Sequence, residues 1–163
     1  MPKTLTAYFS ASHQTERLAK TIAKAAHADL LEIVPEIPYT SQDLNWMDSS
    51  SRSSLEMKDP ASRPALAHPL LDVSEYDTIL IGFPIWWYTA PHIILSFLES
   101  ADFAGKTVVP FATSGGSPMG KSLDDMKKCC SGQTIWKEGK RMSPAESEAS
   151  VKQWLKKIGV VRE

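Results

Sequence analysis

The chain has 163 residues, of which 42% are hydrophobic and 23% charged, and its formal net charge is −1. That is enough chain for one domain spanning residues 1–163 with a proper buried core, and the composition excludes a disordered protein. The charge balance gives no basic surface for nucleic acid, and no apolar stretch approaches the roughly 20 residues of a membrane span.

The start, MPKTLTAYF, goes straight into strand-like sequence and lacks the layout of a signal peptide. Leu5 to Phe9 is the first apolar run. The hydroxyl-rich SASHQT follows it, and then a helix whose Leu18, Ile22 and Ala26 share a face. Leu30 to Val34 is the second strand. Pro35 to Tyr76 is polar and proline-rich, with DSSSRSS in its middle. It should contain the second crossover helix, because so long a structureless loop is improbable in a compact domain. Thr78 to Phe83 is nearly continuous in apolar character, as expected for a strand covered on both faces. Ile93, Ile94, Phe97 and Leu98 form the next helical stripe. Thr107 to Thr113 is a strand with Pro110 inside it, where a bulge or strand end is expected.

Met119, Leu123 and Met126 then give a helical stripe, and Gln133 to Trp136 a weaker strand. SPAE at 143–146 reads as a capping box with proline at the first helical position. Val151, Trp154, Leu155 and Ile158 follow at helical spacing, and Gly159 closes that helix. The only cysteines, Cys129 and Cys130, are adjacent and offer neither metal-site spacing nor a disulfide framework. Free thiols without a secretion signal predict a cytoplasmic protein.

Strands alternating with helices predict a parallel sheet with helices on both faces and right-handed crossovers. Ligands of such sheets bind beyond the carboxyl ends of the strands, where the strand order reverses. The loops after the first, third and fourth strands, SASHQT, PIWWYTAP and TSGGSPMG, are therefore where chemistry is expected. In the first, Ser10, Ser12 and Thr15 could add hydroxyl donors to the backbone N–H groups of a helix N-terminus, with no lysine or arginine among them. That suits a phosphate monoester better than a magnesium triphosphate, and a plain helix cap is the alternative. In the second, Trp86, Trp87 and Tyr88 could stack on a flat heteroaromatic ring or simply fill core or interface. In the third, Gly115 and Gly116 allow close backbone approach to a ligand edge, or form an ordinary turn.

In this order, YFSASHQT, IGFPIWWYTAP and PFATSGGSPMG resemble the flavodoxin family, specifically its short bacterial members with a tryptophan pair, over nearly the whole chain. The resemblance implies a flavodoxin-like α/β three-layer sandwich with a five-stranded parallel sheet of order 2-1-3-4-5. It also implies non-covalently bound FMN, which carries out electron transfer with redox partner proteins or a small electron acceptor. By resemblance, Ser10, Ser12, His13, Gln14 and Thr15 cradle the FMN phosphate. Pro84, Ile85, Trp86, Trp87 and Tyr88 run along the ribityl chain and the ring, and Ser114, Gly115, Gly116 and Ser117 line the flavin's polar edge. No catalytic side chain and no metal are implied.

Two features depart from the family pattern. His13 and Gln14 stand where glycine and asparagine are usual, so His13 must adopt a backbone conformation that glycine often serves. The net charge of −1 also differs from the strongly acidic electron carriers. A small FMN-dependent reductase of quinones or similar acceptors is the alternative within the family. Outside it, a receiver-type signalling module would need an acidic residue near Ser10 and a phospho-acceptor aspartate at Phe83. A cofactor-free interaction domain would use the tryptophans as a partner patch. His13, His27, His68 and His92 are scattered, and HPLLD around His68 reads as a loop.

Overall fold

A computed structural model describes residues 3–11, 13–67, 72–113 and 119–160. The elements follow in the order β1 (Thr4–Tyr8), α1 (Gln14–Ala26), β2 (Asp29–Glu32), α2 (Arg52–Lys58), β3 (Thr78–Pro84) and α3 (His92–Glu99). After these come β4 (Thr107–Thr113), α4 (Ser122–Lys127), β5 (Ile135–Trp136), β6 (Lys140–Arg141) and α5 (Glu148–Lys157). Every strand pair is parallel, and the order is β2-β1-β3-β4-β5, with β6 also on β4. No helix among the described residues is long and apolar enough to cross a membrane.

Side-chain alternation divides the core into two layers. Tyr8, Leu80, Val109 and Phe111 meet Leu18 and Ile22 of α1 and Val151, Trp154 and Leu155 of α5. On the other face Ala7, Phe9, Ile81, Phe83 and Val108 meet Ile93, Ile94, Phe97 and Leu98 of α3 and Met126 of α4. The stripes read on α1, α3 and α5 are thus faces that the sheet buries; of Met119, Leu123 and Met126, only Met126 is fully buried on α4, Met119 lying ahead of the helix and Leu123 in neither layer.

Three boundaries differ from expectation. Ser143 to Glu146 forms a turn instead of a capping box, with the Glu146 N–H donating to the Ser143 carbonyl at 3.0 Å. Helix α5 is capped one turn later by Ser147, whose hydroxyl accepts from the Ser150 N–H at 3.1 Å. Glu146 instead takes the Ser150 hydroxyl at 2.5 Å, so a second serine–x–x–polar register outcompetes the first. At the sheet's edge, strand β2 ends at Glu32, although the Ile33 N–H still reaches the Tyr8 carbonyl at 2.6 Å. Lastly, β4 runs unbroken through Pro110, and the interruption falls on the neighbouring strand. The Val108 and Ala112 carbonyls accept from Lys137 and Met142 on that side, so Pro110, lying between them, has no N–H to offer there. The edge strand accordingly splits into β5 and β6. Gly139 lies in the gap, where a Cβ would come within 2.5 Å of the Pro110 carbonyl oxygen.

The segment 35–76 does carry the second crossover helix. Helix α2 is capped by the Ser51 hydroxyl, and Ser62 ties the segment to α3 through a 2.5 Å hydrogen bond to His92 Nδ1. His68 and the rest of HPLL lie outside the described residues. Burial first, and Arg63 second, hold the His92 imidazole below its usual value of 6.5, while Asp125, Glu56 and Asp59 oppose the shift. The unfolded chain therefore takes up this proton before the folded one does. Stability is expected to fall as pH drops through the ordinary histidine range, with the loss ending below the folded pKa. Urea midpoints measured from pH 5 to 8 should lose that slope in His92→Gln, and an unchanged slope would contradict the assignment. Both cysteines are free; burial pushes Cys129 up to about 11 and Cys130 to about 12, so they are protonated thiols at neutral pH.

Candidate functional site

The loops after β1 and β3 meet at the carboxyl edge of the sheet, next to the end of β4. His13, the N-cap of α1, has φ 67° and ψ −2°, the left-handed conformation that glycine would serve there. Its side chain makes no cap; it points outward, 89% exposed, with Nδ1 2.9 Å from Glu16 Oε1. Hydrogen bonds from His13 and then Lys20 hold the Glu16 carboxyl below the usual carboxylate range. Because a left-handed residue with a Cβ costs about 1–2 kcal/mol, part of it offset by glycine's greater unfolded entropy, His13→Gly is expected to raise stability by about 0.5–1 kcal/mol. A lower urea midpoint would contradict this.

The donors of the first loop divide into used and available. Ser10 Oγ accepts from the Glu16 N–H at 3.2 Å, and the His13 carbonyl accepts from the Arg17 N–H at 3.1 Å. Among the described residues nothing accepts the N–H groups of Gln14 and Thr15 at the head of α1. Thr15 is buried, its hydroxyl 2.7 Å from that of Thr113 at the end of β4. One of these two hydroxyls donates to the other, which leaves one proton of the pair for a further acceptor. Ser12 lies outside the described residues, as do Ser114, Gly115, Gly116 and Ser117 of the third loop.

The second loop is a tight turn. Trp86 and Thr89 exchange backbone hydrogen bonds of 3.0 and 3.1 Å, and between them Trp87 and Tyr88 have φ of 49° and 62°. Positive φ at both central residues is the type I′ geometry, normally the province of asparagine and glycine. Two bulky aromatics hold it here because neighbours pin it from three sides. The Thr113 carbonyl accepts from the Ile85 N–H at 3.0 Å, and the Tyr88 carbonyl accepts from the Lys121 N–H at 2.8 Å. The Thr89 hydroxyl donates to Asp125 Oδ2 at 2.5 Å. Gly120 makes the Tyr88 contact possible: it has φ +57°, and a Cβ there would lie 2.1 Å from the Tyr88 oxygen.

The three aromatics, grouped together in the sequence reading, separate in the structure. Trp86 turns inward, edge-on to Phe9 and Tyr39 at centroid distances of 5.6 and 5.4 Å. Trp87 and Tyr88 are 43% and 65% exposed. Pro84 ends β3, and the half-buried Ile85 packs on the core. Tyr39 fixes the 35–76 segment against Trp86. Its hydroxyl donates to Glu56 at 2.6 Å, and the Arg52 guanidinium lies 3.8 Å above its ring while bonding the same carboxylate at 3.0 Å. Burial and the Glu56 carboxylate keep that phenol protonated. Thr113, Asp125 and Tyr39 were not picked out as site residues from the sequence. Of these, only Thr113 carried a signal, its place at a strand's carboxyl end.

An open cleft of about 510 Å³ lies between the turn and the residues Leu44, Trp46 and Ser53. A larger cavity of about 630 Å³, among Lys3, His27, Asp29 and Thr107, opens at the amino ends of the strands, opposite the loops. The cleft by the turn is the one placed for a ligand of this sheet.

Among solved structures, the chain is similar to a candidate flavoprotein of Bacteroides uniformis, with 50% identity over 95% of this chain and 98% of that one, at a TM-score of 0.90. It is likewise similar to one of Bacteroides eggerthii, with 45% identity over 99% and 100% of the chains, at a TM-score of 0.92. A Lactobacillus acidophilus flavoprotein in complex with FMN shares the fold, with 21% identity over 94% and 99% of the chains and a TM-score of 0.66. No curated protein matches the chain. The family description Flavodoxin matches residues 3–158. With that match over the parallel 2-1-3-4-5 sheet and its loops, the chain belongs to the flavodoxin family.

Proposed function

We propose that the protein is an FMN-dependent redox protein that transfers electrons through non-covalently bound FMN in the cytoplasm, its partner a redox protein or a small acceptor. The observation that carries this reading is the head of α1, beside an over-determined turn presenting Trp87 and Tyr88. Two backbone N–H groups that no described residue accepts and a spare hydroxyl proton converge there with no lysine or arginine among them, the first-turn Glu16 carboxylate being taken up by His13 and Lys20. Such a donor set fits a phosphate monoester, the macrodipole adding to it, and the exposed aromatics fit a flat ring. Ser12, His13, Gln14 and Thr15 would hold the phosphate, Ser10 bracing the loop through Glu16. Pro84 to Tyr88 would flank the ring, and Ser114 to Ser117 would complete its polar edge. When bound, FMN supplies one- or two-electron transfer; the side chains bind and orient it and set the polarity around it.

Purified protein is expected to be yellow. Ser12→Ala and Thr15→Val should each weaken FMN by roughly ten- to hundred-fold, the equivalent of about 1.5–3 kcal/mol for a hydrogen bond to a charged group, and leave riboflavin affinity nearly unchanged. Equal losses for both flavins would remove the phosphate from this loop. An anaerobic reductive titration followed by absorbance then separates one-electron from two-electron work.

A further inference from the structure

The net charge of −1 conceals a segregation of charge between the two rims of the sheet. From Asp29 to Asp77, the stretch that opens with the edge strand β2, ten carboxylates stand against three cations. The opposite rim has the reverse character. Lys137, Lys140 and Arg141 lie along the β5–β6 edge, and Lys156 and Lys157 end α5. A groove of about 350 Å³ between that edge and α5 is lined by Lys140 and Lys157 together with Glu138, Ser150 and Gln153. Lys137 Nζ closes on the same helix end, 3.8 Å from where a Cβ on Gly159 would stand. Among the described residues none of these five cations makes an ion pair, whereas Lys3, Lys20, Lys24, Arg52 and Arg63 all do. Of the carboxylates on this side, Glu146 takes the Ser150 hydroxyl, Glu148 faces Lys24 at 3.6 Å, and Glu138 is exposed.

β2 and β5 stand at opposite ends of the order β2-β1-β3-β4-β5. At about 4.8 Å per strand spacing they are roughly 19 Å apart, which exceeds two Debye lengths of about 8 Å at physiological salt. Each rim therefore presents its own charge, and an approaching molecule does not meet the average. We propose that the β5–β6 edge and the end of α5 dock an acidic protein, its carboxylates meeting Lys140, Arg141 and Lys157. Ile135, 52% exposed on β5, supplies an apolar contact beside them. A nucleic acid would set phosphates against Glu138 and find no exposed aromatic for its bases, since Trp136 is half-buried and Trp154 buried. A protein can set a cation of its own against Glu138. β6 pairs with Phe111 and Ala112, directly before Thr113, so a partner seated there borders the carboxyl edge of the sheet. That the partner is a redox protein rests on the functional reading; the face itself stands on charge and geometry alone.

The test is sedimentation equilibrium of the FMN-loaded protein with two small haem proteins, followed at the haem absorbance: the acidic soluble domain of cytochrome b5 and the basic cytochrome c. Wild type is expected to bind cytochrome b5 at about 20 mM salt and to lose tenfold or more of that affinity by about 300 mM. Lys140→Gln/Arg141→Gln should weaken cytochrome b5 roughly tenfold at low salt and leave cytochrome c no weaker. Lys58→Gln/Lys127→Gln, which removes the same charge from α2 and α4, should change cytochrome b5 binding by less than about twofold. No binding of cytochrome b5 at low salt would overturn the proposal, as would equal losses in the two variants, which would reduce the effect to net charge. So would tighter binding of a DNA duplex than of cytochrome b5, or association of the protein with its own acidic rim in place of the probe. A parallel loss of FMN affinity in Lys140→Gln/Arg141→Gln would assign these cations to the flavin. The same sedimentation without flavin decides the face even if the protein takes up no FMN, in which case the functional reading fails by itself.

Discussion

Trp154→Ala is expected to lower the unfolding free energy by about 3–5 kcal/mol, while Trp87→Ala changes it by no more than about 0.5 kcal/mol. The two indoles differ in surroundings, not in chemistry. Trp154 is 6% exposed, set between α5 and the sheet in the layer of Leu18, Val109, Phe111 and Met142, and truncation leaves a cavity that these side chains cannot close. Trp87 is 43% exposed at the tip of a turn whose backbone is held by its neighbours. Flavin affinity should show the reverse order. Trp87→Ala should lose roughly 5- to 100-fold, corresponding to about 1–3 kcal/mol of stacking, and Trp154→Ala little. Urea titration and FMN titration of both variants check the pair; a destabilised Trp87→Ala with normal FMN affinity would make that turn structural.

Gly120→Ala is expected to cost about 2–4 kcal/mol, combining a left-handed residue with a Cβ and overpacking. The added carbon would sit 2.1 Å from the Tyr88 carbonyl oxygen, a backbone atom that cannot swing aside. Relief requires 119–121 to move away from the turn, and with it the Lys121 N–H that holds the Tyr88 carbonyl. The aromatic turn, already at positive φ on two bulky residues, would then relax. FMN and riboflavin should weaken together, by tenfold or more, if the turn flanks the ring as proposed. This parallel loss is opposite in pattern to that of Ser12→Ala. Loss of FMN alone would show that the damage had reached the phosphate loop.

The layers of the fold were legible because burial writes a period into sequence. Ile93, Ile94, Phe97 and Leu98, or Val151, Trp154 and Leu155, can share a face only as helices, and both stripes are buried. The left-handed backbone at His13 was legible too, from the glycine usual at that place in the family. What could not be read depended on contacts between distant segments. SPAE satisfies the capping pattern as well as the serine that does cap α5, and the Glu146–Ser150 bond decides between them. Pro110 announced an irregularity, but whether it fell on β4 or on its neighbour depended on which side the missing N–H faced. The opposite roles of Trp86 and Trp87 follow from Phe9 and Tyr39, one before and one well after α1, closing on the first and not the second. The Thr15–Thr113 bond spans 98 positions, and nothing local to either residue marks it.

The split edge strand also bears on how the protein behaves in a crowd. A sheet rim offers its unused N–H and C=O groups to any strand that drifts alongside, and a long, flat rim recruits copies of itself. Here one rim is the four-residue β2, bearing Asp29 and Glu32. The other consists of the two-residue pieces β5 and β6, separated at Gly139 and ending in the exposed Lys140 and Arg141. Neither offers an uninterrupted uncharged row on which a second chain could zip. By breaking its neighbour's pairing, the proline inside β4 helps protect the sheet against self-association into fibrils.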